Sequence, residues 1–223
     1  ALGWLVLKLT DSPTLVGVVF ALQTLPVLLL APYGGLTADR LPKRPLLMVT
    51  QGLSSLQALS LAVLNFTGVI TVHWVMGLAL MLGCINAFDM PTRQAFLREI
   101  VGADEVRNAI SLNSAAGNAS RAIGPAIGGV IIAAIGVGMC FLVNFFTFIA
   151  SIVALASLDR ARLNPTTPAP REKGQLRQGV RYVRSSPLLY LPLLMMLIVG
   201  TLTYEFNTAL PAFATITFGG MPM

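Results

Sequence analysis

Six stretches of this chain, residues 15–37, 46–70, 72–88, 117–137, 139–158 and 188–208, are apolar almost throughout, with Arg121 and Glu205 as their only charged residues. Each is close to the roughly 20 residues a helix needs to cross the hydrocarbon core of a bilayer. With no water there to satisfy the backbone, such stretches must bond their own N–H and C=O groups, which a helix does. The chain therefore reads as an all-α polytopic membrane protein. Composition agrees: charged residues make up 11% of the sequence and the mean hydropathy is +0.77, whereas an average soluble domain has roughly 25% charged residues.

Residues 1–9 have the apolar character of a helix end but are too short to cross, and they read as the tail of an earlier helix. No basic n-region or small-residue cleavage pattern accompanies them, which argues against a signal peptide. Cys84 and Cys140 both fall inside apolar spans, without metal-ligand spacing, and are expected to be small packing residues. His73, next to Trp74 at the end of a span, suits an interfacial anchor better than a catalytic base.

Basic residues collect in alternate connections: Arg40, Lys43 and Arg44, then Arg93, Arg98 and Arg107, then Arg160, Arg162, Arg171, Lys173, Arg177, Arg181 and Arg184. The connections between them, 67–73 and 136–138, hold no Lys or Arg. By the positive-inside rule, loops 38–46, 89–110 and 159–187 are cytoplasmic. The net charge of +6 then reflects topology and anionic lipid, not nucleic acid. Three domains follow: a bundle over 1–158 lacking most of its first helix, a basic linker over 159–187, and a restarted helix in 188–223. Within the linker, the Pro-rich run 165–170 is extended, and the basic segment 174–186 is expected to lie as a short helix on the headgroups. Six helices, a linker and a restart is the layout of a two-bundle transporter.

The first basic connection carries the sharpest pattern: Gly35, Leu36, Thr37, Ala38, Asp39, Arg40, Leu41, Pro42, Lys43, Arg44. Asp39 is poorly placed for its own helix dipole, since an anion is disfavoured at a helix C-terminus, and needs a cation or a neighbouring N-terminus. A second pattern lies in the span beginning at 117, where Ser120, Gly124 and Gly128 recur at i, i+4 and i+8 beside Pro125 and Gly129. Small residues at that spacing allow close helix packing in lipid, and Pro125 frees a carbonyl that can act as a hinge.

These two patterns resemble the major facilitator superfamily, most closely its exporter branch of enterobactin and macrolide efflux proteins. The first is similar to that family's G-x-L-a-D-r-x-G-r-k turn after its second helix, with Thr37 and Pro42 departing from it. The second is similar to its antiporter motif G-x-x-x-G-P-x-x-G-G, with Ser120 in place of the first Gly. The resemblance implies an incomplete major facilitator fold, from the end of helix 1 through helix 7 of twelve, and hence a fragment. It also implies a conformational switch at Gly35, Asp39, Arg40, Lys43 and Arg44, in which Asp39 engages the second bundle.

Charges at span edges are functional candidates because hydrocarbon tolerates them poorly. Asp89 closes its span with Arg93 one turn later, and these two, with Asp39 and Arg40, are expected to form a cytoplasmic charge cluster. Arg121 either snorkels to the interface or pairs. Glu205, beside Tyr204 and Asn207, is either a proton-coupling carboxyl raised by desolvation or an outer-rim carboxylate. Asn113, Asn118 and Asn144 are candidate cavity residues, set against the commoner role of bonding a neighbouring helix.

The expected function is secondary active, proton-coupled export of a small drug- or siderophore-like molecule across the cell membrane by alternating access. A transport-inactive binding or signalling protein of the same fold is the alternative. One His, two scattered Cys and acids mostly in loops build no catalytic centre. No G-x-x-x-x-G-K-[ST] loop exists for ATP. Neither a metal nor a cofactor is expected; the partners are substrate, protons and lipid, with oligomeric state left open.

Overall fold

The computed structural model describes residues 2–159, 163–164 and 175–203, and all regular structure among them is helical. Helix α1 (Leu2–Thr10) turns through Asp11, whose φ of 48° is a conformation Asp tolerates better than most residues. Pro13 then opens α2 (Pro13–Arg40), which runs through Pro26 and Pro32. It stops where Pro42 excludes a helical Leu41, found extended at φ −102° and ψ 154°. Pro42 itself, at φ −59°, makes the charged turn within the range its ring permits, so only Leu41 and Pro42 separate α2 from α3 (Lys43–Phe66).

Residues 72–135 form one long helical stretch broken at a single residue, Gly102, with φ 76° and ψ 177°. The two parts are α4 (Val72–Gly102) and α5 (Asp104–Ile135). The sequence reading ended the first at Phe88 and placed a cytoplasmic loop at 89–110. Instead the polar segment after Phe88 continues α4, and α5 begins well before Gly117. Arg, Gln, Glu and Leu are good helix formers wherever water can solvate them, and only Gly102 adopts the positive φ that breaks the ladder. At 1.5 Å per residue α4 and α5 are each about 45–50 Å long, longer than the roughly 30 Å hydrocarbon core, so both extend beyond it. Gly136, at φ 87°, is the entire connection to α6 (Val137–Ser157).

Among the described residues five helices, α2 to α6, are long and apolar enough to cross a membrane. The expected sixth span is represented by α8 (Pro187–Thr203), preceded by α7 (Gln175–Ser185); positions 204–208 of that span lie outside the described residues. The chain divides into two compact units at Ala169 and Pro170, with α1 to α6 in the first and α7 and α8 in the second.

The first unit has two differently built ends. At one, Leu5 and Val6 of α1 pack with Val16 and Val19 of α2, Leu61 of α3, Val75 and Ala79 of α4, and Val137 and Phe141 of α6 in an apolar core. The short apolar start, expected to be only the tail of an earlier helix, is thus through α1 an integral part of the bundle. Helices α2 and α4 approach closely at two points, where a Cβ on Gly34 would collide with the Ala87 carbonyl and one on Gly83 with the Gln23 carbonyl. The first contact has a local cause: Pro91 has no N–H to give the carbonyl four residues back, so the Ala87 oxygen has no α-helical donor and faces the bare Cα of Gly34. The other end of the unit is held by polar groups.

Candidate functional site

The polar end begins in the middle of α3, where Thr50, Gln51, Ser54, Ser55 and Gln57 are all buried in an otherwise apolar helix. Polar groups in such a helix must find partners on a neighbour. They find them on α4: the Gln57 amide donates to the Leu78 carbonyl at 3.4 Å, and Asp89 takes two bonds from α3. Its Oδ1 accepts from Thr50 Oγ1 at 2.6 Å and from Gln51 Nε2 at 2.9 Å. Its Oδ2 accepts from Arg93 Nη2 at 3.1 Å and Nε at 3.3 Å. Asp89 is only 7% exposed, a burial that a carboxylate sustains when both oxygens are bonded and a cation is adjacent.

Further along α4, Glu99 forms an ion pair with Lys43, the first residue of α3, at 2.9 Å with both side chains at least nine-tenths buried. The Glu99 carbonyl accepts from the Asn164 backbone N–H at 2.8 Å, and the Asn164 side-chain amide lies 3.4 Å from where a Cβ on Gly102 would stand. The chain leaving α6 is therefore fastened beside the α4–α5 break. Arg44 completes the rim by donating from Nε to the Leu155 carbonyl and from Nη2 to the Ala156 carbonyl, each at 2.6 Å. These carbonyls belong to the last turn of α6, where no intrahelical donor remains and a cation is favoured.

The structure brings some of the expected residues together and separates others. Asp89 and Arg93 form the expected pair. Lys43 and Arg44 are anchored, as described, to α4 and α6. Asp39 is exposed and has no ion pair among the described residues, and Gly35 has open space around it. Ser120, Gly124 and Pro125 are exposed and Gly128 and Gly129 half-buried. A Cβ on Gly124 or Gly128 would meet nothing within 4 Å. Helix α5 continues unbroken through Pro125 and has no buried residue between 104 and 135.

Arg121, Asn113, Asn118 and Asn144 are all exposed; Asn144 Oδ1 accepts from Thr147 Oγ1 on its own helix. Asn113 borders a cavity of about 300 Å³ between α3, α4 and α6, with Gln51, Arg93, Phe96 and Leu155 on its walls. Glu205 lies outside the described residues. Sequence reasoning missed Thr50, Gln51 and Glu99. The polar spacing 50, 51, 54, 55, 57 was the available signal for the first two; nothing local marked Glu99.

The arrangement defines a multi-pass, all-helical membrane protein with an apolar core at one end of its bundle and a charge-tied rim at the other. The chain belongs to the major facilitator superfamily, the model of its transmembrane secretion effector family matching residues 1–223. It is 27% identical over 191 residues to the uncharacterized MFS-type transporter YfiS of Bacillus subtilis, covering 84% of this chain and 45% of that protein. It is 31% identical over 153 residues to the staphyloferrin A transporter of Staphylococcus aureus, covering 68% of this chain and 38% of that one. To the multidrug efflux pump Tap of Mycolicibacterium fortuitum it is 29% identical over 202 residues, covering 85% and 48%. The matched regions thus span less than half the length of these relatives.

Proposed function

We infer that this chain supplies the first bundle, and the opening helix of a second, to a secondary transporter that exports a small molecule across the cell membrane in exchange for protons. One observation carries the reading. The charged turn is fixed on one side and open on the other: Lys43 and Arg44 are tied to α4 and α6, while Asp39, on the same turn, projects exposed from the end of α2. An acid held on a rigid rim and left without an ion-pair partner among the described residues suits a reversible contact with a second bundle. Alternating access requires such contacts to form in one state and break in the other. The uncovered small-residue face of α5 provides a smooth surface for the same partner. Relatives named for staphyloferrin A transport and multidrug efflux support a small-molecule cargo. In this scheme Asp89 and Arg93 brace the switch, and Glu205 is the candidate proton carrier.

Inside-out membrane vesicles containing the protein provide the test, with ethidium and labelled staphyloferrin A as probes. Accumulation of a probe should depend on an imposed proton gradient and fall at least tenfold in Asp39→Asn. Glu205→Gln should abolish proton movement on probe addition. Binding without accumulation at any gradient refutes export and favours a binding or signalling role.

A further inference from the structure

The second unit contains a helix junction that the transport scheme does not use. Helix α7 (Gln175–Ser185) is strongly amphipathic, and a single non-helical residue, Ser186, joins it to the apolar α8. That junction is hydrogen-bonded from both sides: the Ser186 N–H donates to the Tyr182 carbonyl at 3.1 Å, and the Ser186 carbonyl accepts from the Leu189 and Tyr190 N–H groups at 3.0 Å each. The junction is consequently a short, hydrogen-bonded connection between a charged helix and an apolar one.

Arg181 and Arg184 on α7 are exposed, and no Asp or Glu occurs anywhere in 175–203. Among the described residues neither arginine has an ion pair. On the other side of Ser186, Leu188 is 88% exposed and Leu191 55%. Tyr182 and Tyr190 are also exposed, one on each arm, and tyrosine favours the level of the headgroups, where its ring is covered and its hydroxyl wetted. Arg181, Tyr182 and Arg184 stand on one arm and Leu188, Leu189, Tyr190 and Leu191 on the other, so groups suited to phosphate give way to groups suited to acyl chains across Ser186.

We propose that the α7–α8 junction is a binding site for the anionic headgroup of a membrane lipid, held by Arg181 and Arg184, with α8 among the acyl chains. Zwitterionic lipid satisfies the apolar part of this site but not the arginines, because its phosphate is already paired with its own cation. Guanidinium groups favour phosphate through paired N–H donors, and each base near an anionic surface is worth roughly fivefold in affinity. The assignment requires only that 175–186 lie at a bilayer surface and is independent of export.

Hydrogen exchange over 175–190, measured on the whole protein in nanodiscs, tests it. Exchange should be several-fold slower in phosphatidylcholine discs containing phosphatidylglycerol than in phosphatidylcholine alone. The difference should shrink in Arg181→Gln and largely vanish in the Arg181→Gln/Arg184→Gln pair, exposed substitutions that retain helix propensity. Equal exchange in the two discs overturns the proposal, as does a difference that survives the paired substitution. Equal slowing by inorganic phosphate added to phosphatidylcholine discs also overturns it, since the site would then be one for a free anion.

Discussion

Replacing Lys43 by Met tests how the charge-tied rim is stabilised. The ammonium lies 2.9 Å from Glu99, and the two side chains are 7% and 10% exposed. Breaking so buried a pair by removing one member costs about 3–5 kcal/mol, whereas replacing both with apolar residues is close to neutral. For a chain of this size each kcal/mol moves the melting temperature by roughly 2–4 °C. Lys43→Met is therefore expected to melt about 10 °C early, and Lys43→Met/Glu99→Leu to regain most of that. Cys84 and Cys140, free and half-buried in α4 and α6, report unfolding directly when a thiol-reactive dye is present. The cycle should give a coupling of roughly 3 kcal/mol. If the paired substitution instead melts at the temperature expected from adding the two single effects, the ion pair does not hold α3 to α4 and the account of the rim fails.

Gly34→Leu should lower the melting temperature by more than 5 °C in the same assay, because its side chain must force α2 from the Ala87 carbonyl; Gly35→Leu, one residue on in open space, should be tolerated. Arg44→Ala removes two bonds to the last turn of α6, a loss of about 2–3 kcal/mol, and should open the chain after Ser157 to limited proteolysis. Gly102→Ala meets the cost of a backbone region that is essentially open to glycine alone, about 1–3 kcal/mol, and should increase amide exchange at Asn164, whose bond to Glu99 depends on the break.

Helix existence was legible in the sequence because hydrocarbon enforces length and apolarity together, and 15–37, 46–70 and 139–158 match α2, α3 and α6 closely. Hydropathy marks where the bilayer ends, not where a helix ends, and this is why α4 and α5 run past their expected limits into 89–110. The Asp89–Arg93 pair was legible from its i, i+4 spacing on one helix. Thr50 and Gln51 were visible as polar residues in an apolar run, but their target on α4 was not. Lys43 with Glu99, and Arg44 with Leu155 and Ala156, depend on which helix ends meet, and no local pattern encodes that. The small-residue motif on α5 was legible as a motif; the structure adds that nothing among the described residues packs against Gly124 or Gly128.

The Arg44 bonds also set an order of assembly. They join positions 111 and 112 residues apart, so when Arg44 emerges during synthesis its acceptors have yet to be made. The apolar end draws most of its residues from α1 to α4, which are made earlier, and only Val137 and Phe141 from α6. Contacts of such long separation close late. The α3–α4 ties of the rim and the α1–α4 part of the apolar core therefore form first, and α6 closes both ends on insertion, its first turns completing the core and its last turn receiving Arg44.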